Sequence, residues 1–501
     1  MIHSPPMKSY RAWSPTQAFL LPPSPLEWLP EGHLAYFVLD VVQAVDLSEI
    51  EDAIQEKDGR GERPYPPAMM VALLVYGYGV GVFSSRKIAR ATYDDVAFRV
   101  IAGGEHPHFT TVNQFRRDHR RALSNLFVQV LRLCEKAGLV KLGHVAFDGT
   151  KVRANASKHK AMSYKRMQDE ERRLATEVDA LLERADEADA QEDAQYGAGN
   201  AAEDLPEELR RREARLARIR EAKAALEKEA VAARAEELRE QARVQREKAS
   251  DETIGASERK AAAARASAAE KKARAVDGQD GDDDDDDGSG GATSDLPHHR
   301  VPAEKDGKPK PSAQRNFTDP DSRIMVKGGE YLQGYNAQVA VDAVAQVIVA
   351  AAVTNQPPDV EHLAPMLAQV VANCGKAPVV ATADTGYFSA DNVAACAARG
   401  VDAYIAIGRD PATAPASETV TPARAKMAAK LTTAEGKAIY ARRKCIVEPA
   451  FGQIKAARGF WRFSFRGLAA VGHEWSFVCA THNLLKLFRS RVSVRAVTAP
   501  A

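Results

Sequence analysis

The chain has 501 residues, enough for two or three domains and at least one sizeable core. Its 69 lysines and arginines balance 68 aspartates and glutamates, a net charge of +1, so contact with nucleic acid would need local basic patches. The five cysteines are scattered, which excludes a readable disulfide framework or zinc site and suits a reducing cytoplasm. No P-loop is present, so nothing supports an ATP-driven function.

Residues 1–140 have the composition of a helical domain. Helix is predicted for residues 34–47, for the apolar run 68–83 and for a segment containing residues 86–90. The apolar run is shorter than the about 20 residues that a membrane-spanning helix needs, and glycines interrupt it, so a buried helix is favoured. No basic region followed by an apolar run opens the chain, so no signal peptide is expected.

One long helix is predicted for residues 111–137. Thr111 and Gln114 have the spacing of a capping box, and Gly138 stands where a helix ends. The first turns carry the basic residues Arg116, Arg117 and Arg120. These side chains either lie on a phosphate backbone or form an ordinary solvated face, and the sequence leaves both open.

A short buried strand is predicted at residues 145–148, where three apolar residues lead to Asp148. Gly149 predicts that this strand ends in a turn. From residue 161 to 276 the composition becomes rich in Ala, Glu, Arg and Lys. Heptad spacing of its sparse leucines, as between Leu209 and Leu216, predicts a helical hairpin or coiled coil.

The acidic, Gly/Ser-rich run at residues 277–292 is predicted to be a disordered linker. Strand patterns resume at about residue 324. The elements predicted from there are strands 335–341 and 347–353 in a hairpin, helix 360–372, strand 379–383, helix 390–399, strand 403–407 and a helix carrying Glu448. One strand before the helical block and the others after it predict an α/β domain with an insertion.

Three carboxylates stand in positions suited to metal-dependent chemistry on DNA. Phosphoryl transfer of this kind uses two cations about 3.5–4 Å apart, and Mg²⁺ prefers carboxylate oxygens. Asp148 and Asp384 each follow a predicted buried strand, and Glu448 lies on a predicted helix. An acid after a strand is weak evidence alone, because acids commonly open turns. The three together are far more informative.

Several motifs resemble the DDE transposases of bacterial insertion sequences. They are Asp148-Gly149-Thr150-Lys151, Ala154-Asn155-Ala156-Ser157, Asp319-Pro320-Asp321-Ser322-Arg323, Gly334-Tyr335-Asn336-Ala337-Gln338, Ala383-Asp384-Thr385-Gly386-Tyr387 and Val447-Glu448-Pro449-x-Phe451-Gly452. The resemblance covers nearly the whole chain. It implies a ribonuclease-H-like catalytic domain in which Asp148, Asp384 and Glu448 bind two Mg²⁺ ions, for which Mn²⁺ can substitute.

The resemblance also implies a domain plan. A helical DNA-binding or assembly domain spans 1–140. The ribonuclease-H-like domain comprises 141–160 and 324–490, the charged helical insertion 161–276, and a flexible acidic linker and return segment 277–323.

Relatives surround the glutamate with Tyr, Arg and Lys at set spacings, which carries a DNA-binding role onto nearby residues. Lys455 lies seven residues after Glu448, as that pattern requires. Tyr440 and Arg442 or Arg443 lie one or two residues away from the positions that the pattern gives to Tyr and Arg.

The basic segment 442–491 supports DNA contact independently of the resemblance. It also offers Arg458, with aromatic residues interleaved between its basic ones. Those aromatic residues are Phe460, Trp461, Phe463 and Phe465. They could stack on unpaired bases, although at least half are expected to pack in the core.

The expected function is that of a transposase. Asp148 and Asp384 would share the metals, Glu448 would complete one site, and the enzyme would cut element ends and join them to target DNA. A nuclease of the same fold that joins nothing, and an inactive DNA-binding scaffold, are the alternatives. Expected partners are double-stranded DNA with terminal inverted repeats, target DNA and a second copy of the chain, since two ends must be joined. No membrane association is expected, and the expected location is the bacterial cytoplasm, at the nucleoid.

Overall fold

A computed structural model describes residues 24, 27–56, 63–196, 207–277, 296–408, 421–494 and 496. The aspartate run at 282–287 and most of the linker predicted at 277–292 lie outside these residues.

The N-terminal region is helical, as predicted. Its helices are α1 (Leu34–Ala44), α2 (Ser48–Gln55), α3 (Pro67–Gly79), α4 (Ser85–Asp94), α5 (Val96–Ile101), α6 (Phe109–Asp118) and α7 (Arg120–Lys136). Helix α3 starts with Pro67 at its first position, where the missing N–H costs nothing, and is buried from Met70 to Gly79. Among the described helices none is long and apolar enough to cross a membrane.

The prediction of one long helix at 111–137 is wrong. The segment forms α6 and α7, which meet at His119, and His108 rather than Thr111 precedes the first turn. Helix α6 packs against α4, whereas α7 packs against the C-terminal helix, so the break lets each bury its apolar face on a different partner. Gly138 has φ +74°, so the predicted helix stop after α7 is confirmed.

A mixed sheet forms the centre of the molecule. The strands are β1 (His144–Arg153), β2 (Ala161–Ser163), β3 (Gln314–Asn316), β4 (Arg323–Lys327), β5 (Glu330–Asp342), β6 (Ile348–Thr354), β7 (Val380–Ala383) and β8 (Asp402–Ile405). The main sheet runs β6-β5-β1-β7-β8, and β4 pairs with the first residues of β5. Strands β6, β5 and β1 are antiparallel, and β1, β7 and β8 are parallel. The predicted α/β class is confirmed, and this order is compatible with a ribonuclease-H-like domain.

Strand β1 extends beyond Asp148, the residue at which the sequence predicts its end. It continues to Arg153, because β5 is long enough to pair with it from Asp342 back to Gly334. Gly149 therefore lies within the strand rather than in a turn. Its lack of a side chain is needed, since a Cβ there would overlap the Gln338 side chain. Asp148 thus lies in mid-strand.

The segment between β1 and β4 contains the predicted helical insertion. It forms α8 (Tyr164–Tyr196), α9 (Glu207–Ser250) and α10 (Ala256–Asp277), with α9 packed against both neighbours. Leu174 on α8 and Leu216 and Ile219 on α9 are buried in a small apolar cluster of their own. Arg315 and Arg323 form ion pairs with Glu229 of α9 and connect the insertion to the return segment.

The remaining helices flank the sheet. They are α11 (Leu363–Cys374), α12 (Ala390–Ala398), α13 (Pro422–Thr432), α14 (Ala434–Gly452) and α15 (Leu468–Arg489). Helix α14 packs against β1, β5, β7 and β8, whereas α15 packs against β6, α3 and α7. Helix α15 therefore joins the sheet to the N-terminal helices in one apolar core.

Candidate active site

The sheet brings Asp148 and Asp384 together. Strands β1 and β7 are parallel neighbours whose last paired residues are Ala146 and Thr382. Each aspartate lies two residues beyond its paired residue, and side chains alternate with a period of two, so both carboxylates are on the same side of the sheet. Asp384 also caps the 3-10 turn at Thr385–Tyr387 by accepting a hydrogen bond from the Gly386 N–H at 2.9 Å.

Arg443 of α14 lies between these two carboxylates. Its Nη2 is 2.9 Å from Asp148 Oδ2 and 3.5 Å from Asp384 Oδ2. The Arg443 side chain is only 9% exposed, and its Nε has no hydrogen-bond partner. We call Asp148 and Asp384 the aspartate pair. The pair is thus arranged around one shared positive charge.

The electrostatic environment of Asp148 reflects burial and crowding. Burial raises the pKa of Asp148 to about 6, Arg443 opposes the rise, and the negative charges of Asp384 and Asp359 add to it. Tyr440, one turn before Arg443, is half-buried, and burial raises the pKa of its hydroxyl. Carboxylates crowded in this way favour a compensating cation.

A third acid near the pair, Asp359, was missed by sequence reasoning. It lies between β6 and α11 and accepts hydrogen bonds from Asn336 Nδ2 at 2.6 Å and Gln338 Nε2 at 2.8 Å. Lys151 Nζ is 3.4 Å from Asp359 Oδ1. Burial would raise the pKa of Asp359, but His362, Lys151 and the two amides together lower it to about 2. The available sequence signal was an acidic residue directly after Pro357 and Pro358, in the loop that follows a predicted strand.

Glu448 does not join the aspartate pair in this structure. It lies on α14, as predicted, but its side chain is exposed, whereas Arg443, Val447 and Ala450 of the same helix are buried. In the described part of the chain no three His, Cys, Asp or Glu side chains are close enough to hold one metal ion. The expectation that three carboxyl groups converge is therefore met by two of them only.

The Lys455 side chain is buried and points toward the C-terminal half of β1. It lies in a π-helical turn, Gln453–Ala457, that follows α14 directly. Its Nζ donates to Thr150 Oγ1 and, at 2.9 Å, to the Lys151 carbonyl oxygen. Burial lowers the pKa of Lys455 to about 7, and the neighbouring Lys327 and Lys151 add to the effect.

The other predicted DNA-binding residues divide into two groups. Arg116 and Arg458 are buried: Arg116 donates to the Tyr78 hydroxyl at 2.7 Å, and Arg458 donates to Thr481 Oγ1 at 2.7 Å. Arg117, Arg120 and Arg442 are exposed. Only the exposed group presents its charge to solvent, and its contact with DNA remains a prediction.

The four interleaved aromatic residues also divide. Phe460 and Phe463 are buried and contact the buried Trp475, which confirms core packing for half of them. Trp461 is 51% exposed, with Lys327 and Lys455 within 6 Å of its ring centre (5.5 and 5.9 Å). An exposed aromatic ring between cations is the one member of this group suited to stacking on a base.

The Asp319–Arg323 motif is structural in this fold. Asp319 accepts hydrogen bonds from the Tyr335 hydroxyl at 2.7 Å and from the Gly467 N–H at 3.1 Å. Asp321 accepts from the Leu468 N–H at 2.8 Å, at the start of α15. The motif therefore anchors the N-terminus of α15 on β5 instead of adding a ligand to the aspartate pair.

Comparison with known protein families identifies two regions. Residues 297–484 match the family described as the transposase DDE domain, and residues 24–118 match a transposase domain. The first match includes Asp384 and Glu448 but begins after Asp148. Neither the curated proteins nor the solved structures that were compared contain a match. With a transposase DDE domain matched over residues 297–484 and a second transposase domain over residues 24–118, the chain belongs to the DDE transposases, polynucleotidyl-transferring nucleases typical of bacterial insertion sequences.

Proposed function

We propose that the aspartate pair is the catalytic centre of a Mg²⁺-dependent enzyme that cleaves the ends of an insertion sequence and joins them to target DNA. One observation carries this proposal: Asp148 and Asp384, from neighbouring parallel strands, share a single positive charge. That arrangement is suited to a cation, and carboxylate oxygens are the ligands that Mg²⁺ prefers.

Each residue of the centre has a distinct part in this proposal. Asp148 and Asp384 would hold the divalent ions, with Glu448 completing one site. When bound, the ions would supply an acidified water and charge stabilisation at the phosphate oxygens. Lys151 and Lys455 add positive charge along β1, where a phosphate group approaching the pair would lie. The chain otherwise contributes positioning, which supplies much of the catalysis in phosphoryl transfer.

The fold supports the same proposed function. We assign residues 141–160 and 324–490 to a ribonuclease-H-like catalytic domain, because β1 lies at the centre of a sheet whose other strands follow the insertion. The helical region 1–140 would bind and assemble element ends, with Arg117 and Arg120 exposed on it. An insertion sequence has two ends to be joined, which favours a homodimer on DNA carrying terminal inverted repeats.

The test is Asp148→Asn in the full chain. With duplexes taken from the DNA that flanks the reading frame, this variant should lose Mg²⁺-dependent end cleavage by at least about a thousandfold while still binding the ends. Asp52→Asn, at an exposed position on α2, is the matched control and should cleave normally. Normal cleavage by Asp148→Asn would overturn the assignment. Cleavage by the wild type with no joined product in any assay would point to a nuclease instead.

A further inference from the structure

Helix α14 presents Arg443, not Glu448, to the aspartate pair, and the reason is its phase. Successive residues of an α-helix are rotated by about 100°. Arg443, Val447 and Ala450 are buried and define the inward side of the helix. Glu448 follows Val447 and is therefore rotated about 100° away from that side, in agreement with its exposure.

The helix corrects its phase only after Glu448. A π-helical turn accommodates one residue more than an α-helical turn, and here it spans Gln453–Ala457. Because of this extra residue Lys455 returns to the inward side and reaches Thr150. The segment from Arg443 to Lys455 thus contains one residue in excess, placed on the C-terminal side of Glu448.

The hydrogen bonds of α14 are interrupted where the excess residue could move. Pro449 lies inside the helix and has no N–H to donate to the Cys445 carbonyl oxygen. Gln346, in the β5–β6 hairpin, donates to that oxygen instead, at 2.8 Å. Shifting the π turn across Pro449 would therefore break fewer backbone hydrogen bonds than in an uninterrupted helix.

We propose that α14 has two settings, which differ in the side of Glu448 on which the excess residue lies. In the setting described here Arg443 neutralises the aspartate pair and Glu448 faces away. With the excess residue before Glu448, the glutamate takes the inward position of Val447, one turn from Arg443. At that spacing it pairs with the guanidinium and joins the two aspartates around a divalent cation. The inference rests on the proposed function, since it assigns a cation to the same pair.

Charge balance favours a divalent cation in the second setting. Arg443 leaves one net negative charge on the ionised aspartate pair in the present setting. Glu448 would add a second, and a site with two net negative charges is matched by one divalent ion. Arg443 is thus the counter-ion of the aspartate pair in the present setting and the partner of Glu448 in the second.

Two single-residue deletions separate the settings. Deletion of Lys444, an exposed residue before Glu448, and deletion of Gly452, an exposed residue after it, both remove the excess residue. Only the first turns Glu448 inward. We expect the Lys444 deletion to bind Mn²⁺ about tenfold more tightly than the wild type in calorimetric titration. The Gly452 deletion should show no such gain, and Lys444→Gln controls for loss of the side chain alone.

Point variants provide a second measurement that does not require a deletion to fold. Arg443→Gln removes the resident counter-ion and should also bind Mn²⁺ about tenfold more tightly. In the Lys444 deletion, Glu448→Gln should reverse the gain, whereas in the Gly452 deletion it should change nothing. Equal Mn²⁺ affinity of the two deletions, or unchanged affinity of Arg443→Gln, would overturn the two-setting proposal.

The same titration distinguishes this proposal from the proposed function. If wild-type Mn²⁺ binding is abolished by Asp148→Asn but is unaffected by Arg443→Gln and by the Lys444 deletion, only the two-setting proposal fails. If Asp148→Asn has no effect on Mn²⁺ binding, the pair is not a metal site and both proposals fail.

Discussion

The sheet and helix α14 differ in how rigidly they hold their functional groups in place. Asp148 lies on a strand that is paired on both edges, by β5 and by β7, so its direction is fixed by two registers. Glu448 lies on a helix whose phase depends on one excess residue and on a proline. A strand register resists small changes, because a slip by one residue reverses every side chain. A helix phase can shift by one residue locally, so the sheet-borne acids form the fixed half of the site.

The largest effect on the free energy of unfolding is expected where the sheet itself is altered. Gly149→Ala would place a Cβ against the Gln338 amide and 3.0 Å from Asp359 Oδ1. Because these atoms belong to a paired strand and a hydrogen-bonded network, we expect a loss of about 2–3 kcal/mol in the free energy of unfolding. Cleavage should fall at least about a hundredfold, since Asp148 is adjacent. Urea unfolding and the end-cleavage assay measure the two effects.

Gly143→Ala is the control for that change. Gly143 immediately precedes β1, and a Cβ there meets nothing within 4 Å. Its variant should unfold within about 0.5 kcal/mol of the wild type. Equal stability of the two alanine variants would show that the sheet is less rigid around Asp148 than its contacts imply.

The sequence predicts the half of the site on the sheet better than the half on helix α14. The apolar runs before Asp148 and Asp384 identified both strands, because a buried strand has a pattern of its own. The end of β1 was misjudged, since Gly149 favours a turn locally and only the long partner β5 extends the pairing. The π turn after α14 carries no local signal, so the outward direction of Glu448 could not be foreseen. Asp359 was missed because its partners Asn336 and Gln338 come from β5, distant in the chain.

A smaller effect on the free energy of unfolding is expected at Asp359, which links β1 and β5 through Lys151 and the amides of Asn336 and Gln338. Asp359→Asn removes the charge that Lys151 and two amides stabilise, and should cost about 2 kcal/mol at pH 7. The pKa of Asp359 in the folded chain, about 2, is below its ordinary value of 3.8. The stabilisation is therefore complete above about pH 4 and disappears as the pH falls toward 2.

Urea unfolding of the wild type and of Asp359→Asn, measured at pH 7, 4 and 2.5, checks this dependence. The difference between the two proteins should narrow over the two lower pH values. Asp179→Asn, at an exposed position on α8, should show no comparable difference. A gap that stays constant from pH 7 to 2.5 would mean that hydrogen bonding of the side chain, and not its charge, stabilises this network.

The smallest effect on stability, and one of opposite sign, is expected at Lys455, where the helical half of the site contacts β1. Burial of its ammonium group is unfavourable, so Lys455→Met should raise the free energy of unfolding by about 1 kcal/mol at pH 6. The pKa of Lys455 in the folded chain, about 7, is below its ordinary value of 10.5. The wild type carries the full cost of the charge below pH 7 and loses it as the pH rises toward 10.5, so the advantage of methionine should shrink over that interval. Lys437→Met, at an exposed position on α14, should leave the free energy of unfolding unchanged at pH 6 and as the pH rises toward 10.5.

If Lys455 also serves the phosphate of a bound DNA end, Lys455→Met should cleave about tenfold more slowly while being more stable. Such a result would separate a functional lysine from a structural one, because a purely structural group would leave cleavage unchanged as stability rises.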